Sequence, residues 1–451
     1  MGLIIAAGNT KPVFPYDYYY GVKIKLSVGD PAVERVGRTE LHQSLPIQSR
    51  MRRCILKDNG TVNYYLHPTD STKKDSGAPA KLDGTDGMYM VELPDHYAKF
   101  EFDGNNFSSL ISEYPLPGFH KVRKCYRSAV EATVDRTVAA TPKLAAVCNT
   151  TAAFRGGNNT AAWDGTYRSL LGKPATSISL TNFRAYARNR GTAGLNGAGW
   201  NCDLYEAQRT TYWLFVIEYA TRNCQAEFNA QPDANGYKQG GLGAGVTTLE
   251  SGKWNTLNSY NPFIPCGITN SLGNATGVVS FTMPDEYNPG GTALVVKVPS
   301  YRGIENPFGH TWRWTDGCLC LIQSNDGGGR SIFYTCDNPA NFGSTEAALA
   351  NYQERGDLPR NEGYVKTLMV EEYGENMPIV AGSGASANAY FCDYFYTNIP
   401  TSGQALRGVL FGGSAYTGQT NAGLAAAGTF SAPTAADAAF GSRLCFIPEA
   451  A

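Results

Sequence analysis

The sequence is poor in charge, and the charge that it has is balanced. Asp, Glu, Lys and Arg make up 17% of the 451 residues, and 38 basic residues stand against 39 acidic ones, a formal net charge of −1. No basic run stands out. Nucleic-acid binding depends on contacts between basic side chains and phosphates, and this composition has no excess of basic residues to make them. We predict that nucleic acid is not a partner.

Long apolar runs and common catalytic patterns are also missing. No stretch of about 18 apolar residues is present, so the sequence predicts no membrane insertion. The opening Met1–Gly8 is too short for the apolar core of a signal peptide and has no basic start. Only five histidines occur, and HExxH, GxSxG and Walker-type patterns are absent. We therefore predict no enzyme activity, no cofactor and no metal.

Cysteine is present, but its spacing points to no ligand set. The chain has 11 cysteines, an odd number, and only Cys318 and Cys320 stand close together. On a strand these two thiols would lie on one face, where they either bind a metal or pack. Because no second pair supports a zinc site, we interpret them as buried thiols.

The abundant residues are glycine (50), tyrosine (27) and phenylalanine (20), a profile typical of a loop-rich extracellular or virion protein. Apolar and polar residues alternate over Val22–Val28, which predicts a half-buried strand. Turn signals precede two further predicted strands, Thr61–Leu66 and Met88–Leu93. Residues 1–115 are thus predicted to form a β-rich N-terminal domain for attachment or oligomerisation.

The pattern changes after Pro115–Gly118. Ser179 can cap a helix that runs to Arg190, and a longer helical stripe extends from Asp203 to about Gln225. Many short strands rich in glycine, tyrosine and asparagine follow. Two helices followed by such strands predict an α+β domain over 116–451.

A series of motifs stands in a recognisable order: Trp200 between the two helices, then Trp254-Asn255, Tyr301–His310, Trp312–Gly317, Phe411–Gly413 and Gly441–Leu444. Their order resembles that of the C-type-lectin-fold variable proteins of diversity-generating retroelements, in particular the members from gut phages. The N-terminal third is similar to those proteins at Leu45–Arg50 and Met90–Leu93.

The resemblance implies a C-terminal C-type-lectin fold, made of two helices and short antiparallel strands. It also implies a receptor-binding protein of a phage virion, synthesised in the host cytoplasm and commonly a homotrimer. Its partners would be other virion proteins and a bacterial surface protein or glycan. In that family a reverse transcriptase rewrites codons between fixed flanks, here the region 412–443. The matching positions are Ser414, Tyr416, Thr417, Thr420, Phe430, Ser431, Ala435, Asp437, Ala439 and Phe440.

The residue types in this region fit a recognition surface. Its glycines permit turns and close backbone approach whatever the neighbouring side chains are. Tyr416 and Phe430 would supply rigid contact area, although either ring can instead fill the local core. Alanine is unusually frequent, especially over Ala425–Ala427. We interpret this excess as a smaller displayed surface.

Other candidate residues have a simpler structural explanation. Trp312 and Trp314 would share one face of a strand and form a platform for a sugar, but we favour core packing. For Glu305 and His310 we expect loop hydrogen bonds, and for Arg443 an internal partner.

Two further polar features, one on the longer predicted helix and one just after it, also have a structural interpretation. We expect Glu218 to satisfy backbone or tyrosine groups. Gln231–Asp233 matches a short lectin signature, but three residues cannot supply the roughly six to eight oxygens that calcium needs, so we interpret it as a turn.

Two functions from other classes stay open. One is a structural decoration of the virion that binds no receptor. The other is an oxidase similar to formylglycine-generating enzymes, which share the C-type-lectin fold and use a cysteine pair.

Overall fold

The structure is a computed structural model that describes residues 15–165, 168–232, 240–242, 251–283, 294–369, 372–415 and 420–449. Over these residues the protein is mixed α+β and mostly β, which confirms the predicted fold class at this level. Helices and strands are numbered below in chain order. Five α-helices lie in the described part of the chain: α1 (Thr39–Ser44), α2 (Leu180–Arg188), α3 (Tyr205–Tyr219), α4 (Cys224–Phe228) and α5 (Ser251–Asn258).

Two sheets contain the strands of the N-terminal third. A five-stranded sheet has the order β2-β1-β8-β7-β9, with β1 (Tyr19–Lys25), β2 (Glu34–Gly37), β7 (His96–Phe102), β8 (Asn106–Ser112) and β9 (His120–Val122). A seven-stranded sheet has the order β13-β26-β10-β6-β3-β4-β5, with β3 (Arg52–Leu56), β4 (Val62–His67), β5 (Asp70–Lys74), β6 (Met88–Leu93), β10 (Cys125–Ser128), β13 (Trp200–Cys202) and β26 (Leu444–Phe446).

The remaining strands form one large and two small sheets. The nine-stranded sheet runs β19-β18-β17-β23-β24-β22-β20-β21, with β25 paired to β17. Its strands are β17 (Trp312–Gln323), β18 (Ser331–Thr335), β19 (Gln353–Asp357), β20 (Gly363–Leu368), β21 (Pro378–Ala381), β22 (Tyr394–Thr397), β23 (Gln404–Phe411), β24 (Ala427–Thr429) and β25 (Phe440–Gly441). The small sheets comprise β11 (Thr133–Asp135) with β12 (Lys143–Ala145), and β14 (Gly277–Thr282) with β15 (Val295–Tyr301) and β16 (Ile304–Glu305).

Backbone pairing crosses the predicted domain boundary after residue 115. In the five-stranded sheet, β9 pairs with β7. In the seven-stranded sheet, β10 joins β6 on one side to the C-terminal β26 on the other. The division of the chain at residue 115 stays a prediction. Two domains divided there would both contribute strands to the same two sheets.

Helix α3 lies at the centre of the molecule. Eleven of its 15 residues are buried, and Trp213 packs against Phe107 of the five-stranded sheet with 5.2 Å between ring centroids. The predicted helix from Asp203 to Gln225 is wrong as one unit. Ala220 adopts a left-handed conformation with φ 52°, which ends α3, and Asn223 caps the separate helix α4.

Several local predictions are confirmed. Ser179 accepts a hydrogen bond from the backbone N–H of Asn182 and caps α2, as its sequence position predicts. The strands expected at Thr61–Leu66 and Met88–Leu93 correspond to β4 and β6. The strand expected over Val22–Val28 ends at Lys25 instead, and Val28 is exposed beyond it.

Three arginines and one aspartate are buried close together in the interior of the protein. Arg127 donates to both carboxylate oxygens of Asp203, at 2.8 and 2.6 Å, and Nε of Arg313 lies 3.6 Å from the same carboxylate. Arg443 donates to the backbone carbonyls of Ser128 and Asn306, at 3.0 and 2.8 Å. We refer to Arg127, Asp203, Arg313 and Arg443 as the arginine cluster. Its side chains are almost wholly inaccessible to solvent.

Candidate functional site

A row of half-exposed tyrosines lies on one face of the nine-stranded sheet. Tyr364 of β20 is paired directly with Tyr394 of β22, and their ring centroids are 5.1 Å apart. Tyr396 lies two residues further along β22, and its ring centroid is 4.6 Å from that of Tyr394. Val365, which follows Tyr364, and Phe395, which lies between Tyr394 and Tyr396, are fully buried. The alternation of a β-strand therefore turns the three tyrosines away from the core.

A hydrogen-bonded pair of polar residues connects the two ends of this row. The hydroxyl of Tyr364 donates to the amide oxygen of Asn421 at 2.7 Å and lies 2.8 Å from the hydroxyl of Thr420. The amide nitrogen of Asn421 donates to the hydroxyl of Tyr396 at 2.7 Å. Asn421 therefore holds both Tyr364 and Tyr396 in place, and Thr420 contacts Tyr364 as well. Thr420 and Asn421 follow the candidate variable positions 416 and 417 closely in the chain.

Phe430 packs beside Tyr396, at the end of the row opposite Tyr364. Its ring lies 5.8 Å from that of Trp312 and 6.3 Å from that of Tyr396, each in an edge-on arrangement. A Cβ atom at Gly428 would come within 2.3 Å of Cε1 of Phe430, so only glycine leaves room for this ring. We refer to the resulting set of six residues as the tyrosine surface: Tyr364, Tyr394, Tyr396, Thr420, Asn421 and Phe430.

The tyrosine surface is neutral and amphipathic. Burial raises the pKa of Tyr396 to about 12 and also raises the pKa of Tyr394, so both hydroxyls keep their protons at neutral pH. Each ring offers an apolar face and a hydroxyl that donates or accepts. Such a surface suits non-covalent contact with a sugar ring or with an apolar patch of a protein.

The alanine-rich stretch next to this surface is buried. Residues 422–427 are at most 4% exposed where they are apolar, and polar side chains from distant elements hold their backbone. Gln208 of α3 donates to the carbonyl of Leu424 at 2.6 Å, and Gln225 of α4 donates to that of Ala422 at 2.8 Å. For Ala425–Ala427, the interpretation of the alanines as a smaller displayed surface is therefore wrong. They are small because the chain passes close to the core there.

Asp393 is a second anchor of the same stretch. Its carboxylate accepts from the backbone N–H of Ala425 at 2.7 Å and lies 3.8 Å from the thiol of Cys224. Burial raises the pKa of Asp393 to about 7. Since Asp393 directly precedes Tyr394, it connects the buried stretch to the row of tyrosines.

The ten predicted variable positions fall in different environments. Thr420 and Phe430 belong to the tyrosine surface. Asp437 is exposed, while Ser431, Ala435 and Ala439 are half-buried, the two alanines against the same apolar cluster as Phe430. Ser414 and Phe440 are buried, and Phe440 packs on Trp314, so the expectation that these two face solvent is wrong. Tyr416 and Thr417 lie outside the described residues.

The core interpretation of four other candidates is confirmed. Trp312 and Trp314 are buried, which leaves neither free to act as a platform for a sugar. Arg443 binds backbone carbonyls in the interior, as described above. Glu218 accepts from the hydroxyl of Tyr301 at 3.1 Å and pairs with Arg302.

The acidic and imidazole groups of the Tyr301–His310 loop bond inside the fold. Glu305 accepts from the backbone N–H groups of Gly267 and Thr269, at 2.8 and 2.6 Å, and His310 pairs with Glu131. These contacts confirm the expectation of loop hydrogen bonding. The predicted turn at Gln231–Asp233 lies partly outside the described residues, since Asp233 is not among them.

The cysteines of the described chain are reduced. Cys318 and Cys320 lie on β17 and are buried, as predicted, and burial raises the pKa of both thiols. A protonated, buried thiol is a poor nucleophile. Among the described residues, no group of three or more His, Cys, Asp or Glu side chains is arranged to hold a metal ion.

Sequence reasoning missed Tyr364, Tyr394, Tyr396 and Asn421. The alternation in Tyr394-Phe-Tyr396 was the available signal, since it places two tyrosines on one face of a strand. No protein-family model matches the chain, and no curated protein shows significant similarity to it. Within the described residues, none of the helices has the length and apolar character needed to cross a membrane.

Proposed function

We propose that the protein is a receptor-binding protein of a phage virion, and that the tyrosine surface is part of its contact with the receptor. The observation that carries the proposal is the half-exposed row Tyr364, Tyr394 and Tyr396. It is preorganised by ring contacts and by two hydrogen bonds, one from Tyr364 to Asn421 and one from Asn421 to Tyr396. Tyrosines held in this way give contact area at a small entropic cost. The receptor would be a bacterial surface protein or glycan.

Further support comes from the relation between this surface and the candidate variable region 412–443. Thr420, Asn421 and Phe430 belong to that region, whereas the three tyrosines precede it. The C-type-lectin fold and the diversity-generating retroelement belong to this proposal, as do the homotrimer and attachment to other virion proteins. In such an assembly several copies would raise a weak single-site affinity.

The direct test is binding of the labelled protein to a panel of bacterial cells, with purified Tyr364→Ala/Tyr394→Ala as the variant. We expect the variant to lose at least about tenfold in affinity, since aromatic contacts commonly dominate such interfaces. Tyr334→Ala is the matched control, because Tyr334 is a half-exposed tyrosine on β18 of the same sheet. Undiminished binding of the double variant would rule out the tyrosine surface as the contact.

A genomic comparison tests the retroelement separately. A neighbouring reverse-transcriptase gene and a near-copy of the coding segment for residues 412–443, differing at template adenines, are expected. Their absence would remove diversification from the proposal and leave the adhesin in place.

A further inference from the structure

A cavity of about 220 Å³ lies between the five-stranded sheet and helix α3. Strands β7, β8 and β9 form one wall, and α3 forms the other. Asp337 and Tyr373 complete the lining. None of the six residues of the tyrosine surface lines this cavity, which plays no part in the function proposed above. Its apolar lining consists of Ala98, Phe100, Ile111, Val122, Trp213 and Leu214.

The aromatic part of the wall is rigid. The indole N–H of Trp213 donates to the backbone carbonyl of Gly374 at 2.6 Å, and its ring lies 5.6 Å from that of Phe100. His120 bridges Phe100 and Tyr373, with ring-centroid distances of 5.9 and 5.1 Å. A flat ligand would therefore meet aromatic rings that already have fixed orientations, and it would not have to order them.

The two arginines of the wall already have partners. Arg123 pairs with Glu206 at 2.6 Å and donates to the carbonyl of Asp337 at 2.8 Å. Arg209 donates to both carboxylate oxygens of the buried Glu375, at 3.1 Å each. Lys121 is exposed at the rim. Because the inner cations are neutralised within the protein, the cavity favours an uncharged ligand.

His96 supplies a polar group that none of the described residues satisfies. The side chain is 96% buried, since its relative exposure is 4%, and it lines the cavity. Its Nδ1 lies 3.0 Å from the carbonyl oxygen of Pro94 and must carry the proton of that hydrogen bond. Burial lowers the pKa of His96 to about 4, so the ring is neutral at pH 7. Its Nε2 then has a free lone pair, and no described residue donates to it.

We propose that this cavity binds a small, neutral aromatic compound that donates an N–H or O–H hydrogen bond to Nε2 of His96. The volume fits this class, since a cavity of roughly 150 Å³ in another protein holds benzene, and a two-ring compound is moderately larger. The ring would fill the apolar space against Phe100 and Trp213, and the single donor would satisfy the imidazole.

Indole and benzofuran distinguish this proposal from simple apolar binding. The two molecules have nearly the same shape, but only indole carries an N–H donor. We expect calorimetric titration at pH 7 to show indole binding at concentrations up to about 1 mM, with benzofuran about fivefold to tenfold weaker. No binding of indole, or equal binding of the two, would overturn the proposal.

Two variants locate the site. His96→Phe keeps a ring but removes the acceptor, so the preference for indole over benzofuran should disappear. Thr210→Phe adds bulk from a half-exposed residue of α3 that lines the cavity, and it should weaken both compounds equally while His96 stays in place. Unchanged indole binding in a folded Thr210→Phe variant would contradict the site, even if His96→Phe failed to fold.

His67→Phe serves as the control. His67 is a half-buried histidine at the end of β4 and does not line the cavity. Its replacement should leave both affinities unchanged. A loss of indole binding in this variant would show that indole binds elsewhere.

Discussion

The tyrosine surface and the arginine cluster meet at strand β17, and they use their side chains in opposite ways. Trp312 of β17 supports Phe430 of the tyrosine surface, while the next residue, Arg313, belongs to the arginine cluster. Side chains of the tyrosine surface are half-exposed and neutral. Those of the arginine cluster are buried and charged. Two adjacent residues of β17 thus contact different regions: Trp312 contacts the tyrosine surface, and Arg313 belongs to the buried arginine cluster.

This difference decides which residues tolerate change. Around one carboxylate, Asp203, three guanidinium groups have lost their water, and burial together with the neighbouring Arg127 lowers the pKa of Arg313 to about 9. Removing the negative charge of Asp203 leaves the guanidinium groups without that compensation. On the tyrosine surface, a lost ring exposes a neighbour to water, which costs much less. A surface built in this way can vary while the fold persists.

The largest expected effect is that of Asp203→Asn. The variant keeps the shape of the side chain but removes the only carboxylate that Arg127 contacts among the described residues, so we expect a loss of about 3–5 kcal/mol in the free energy of unfolding. Urea denaturation measures it. The same substitution at the exposed Asp437 should change stability by less than about 0.5 kcal/mol. Equal effects at the two positions would contradict the contrast between the regions.

The pH dependence of the free energy of unfolding tests the role of Asp393, which anchors the buried stretch next to the tyrosine surface. Since its pKa is about 7 in the folded protein and lower in the unfolded chain, folding takes up a proton between about pH 4 and pH 7. The contribution of Asp393 to the free energy of unfolding therefore falls as the pH rises through this window, by up to about 1.4 kcal/mol per pH unit.

Asp393→Asn removes this contribution. Relative to the parent, the variant should become progressively more stable from pH 4 to pH 7, as measured by urea denaturation at each pH. Taking the difference between the two proteins cancels the other titrating groups. Parallel stability curves would show that Asp393 does not change its protonation on folding.

Gly428→Ala is expected to have an intermediate effect. The added methyl group would overlap the ring of Phe430, which must move away from Trp312, at a cost of about 1–3 kcal/mol. Near-ultraviolet circular dichroism should show the change in aromatic packing. Gly165→Ala is a suitable control, because a Cβ atom there meets nothing within 4 Å.

The smallest effect on stability is expected for Tyr394→Ala. The side chain is half-exposed and contacts mainly other rings of the tyrosine surface, so the loss should stay near about 1 kcal/mol. Thermal unfolding measures it. A loss as large as that of Asp203→Asn would mean that the tyrosines are part of the core and not a surface that can vary.

Part of this architecture could be predicted from local sequence. The cap at Ser179 and the strands β4 and β6 follow from short patterns, whereas core packing of Trp312 and Trp314 was expected from the resemblance to a known fold. The end of α3 could not, because Ala220 in a left-handed conformation carries no sequence signal. The site was predicted only in part. Thr420 and Phe430 belong to it, whereas the tyrosines come from strands that precede the candidate variable region.

The sequence by itself determined the α+β class, the low and balanced charge, and the positions of most strongly patterned elements, because these depend on neighbouring residues. Only the tertiary structure decided which aromatic side chains form a surface. Tyr364 and Tyr394 become neighbours through the register of β20 and β22, and the alanines after Asn421 are buried because Gln208, Gln225 and Asp393 bind their backbone. Such long-range contacts leave no periodic signal in the chain, since each partner is chosen by packing and desolvation in the folded state.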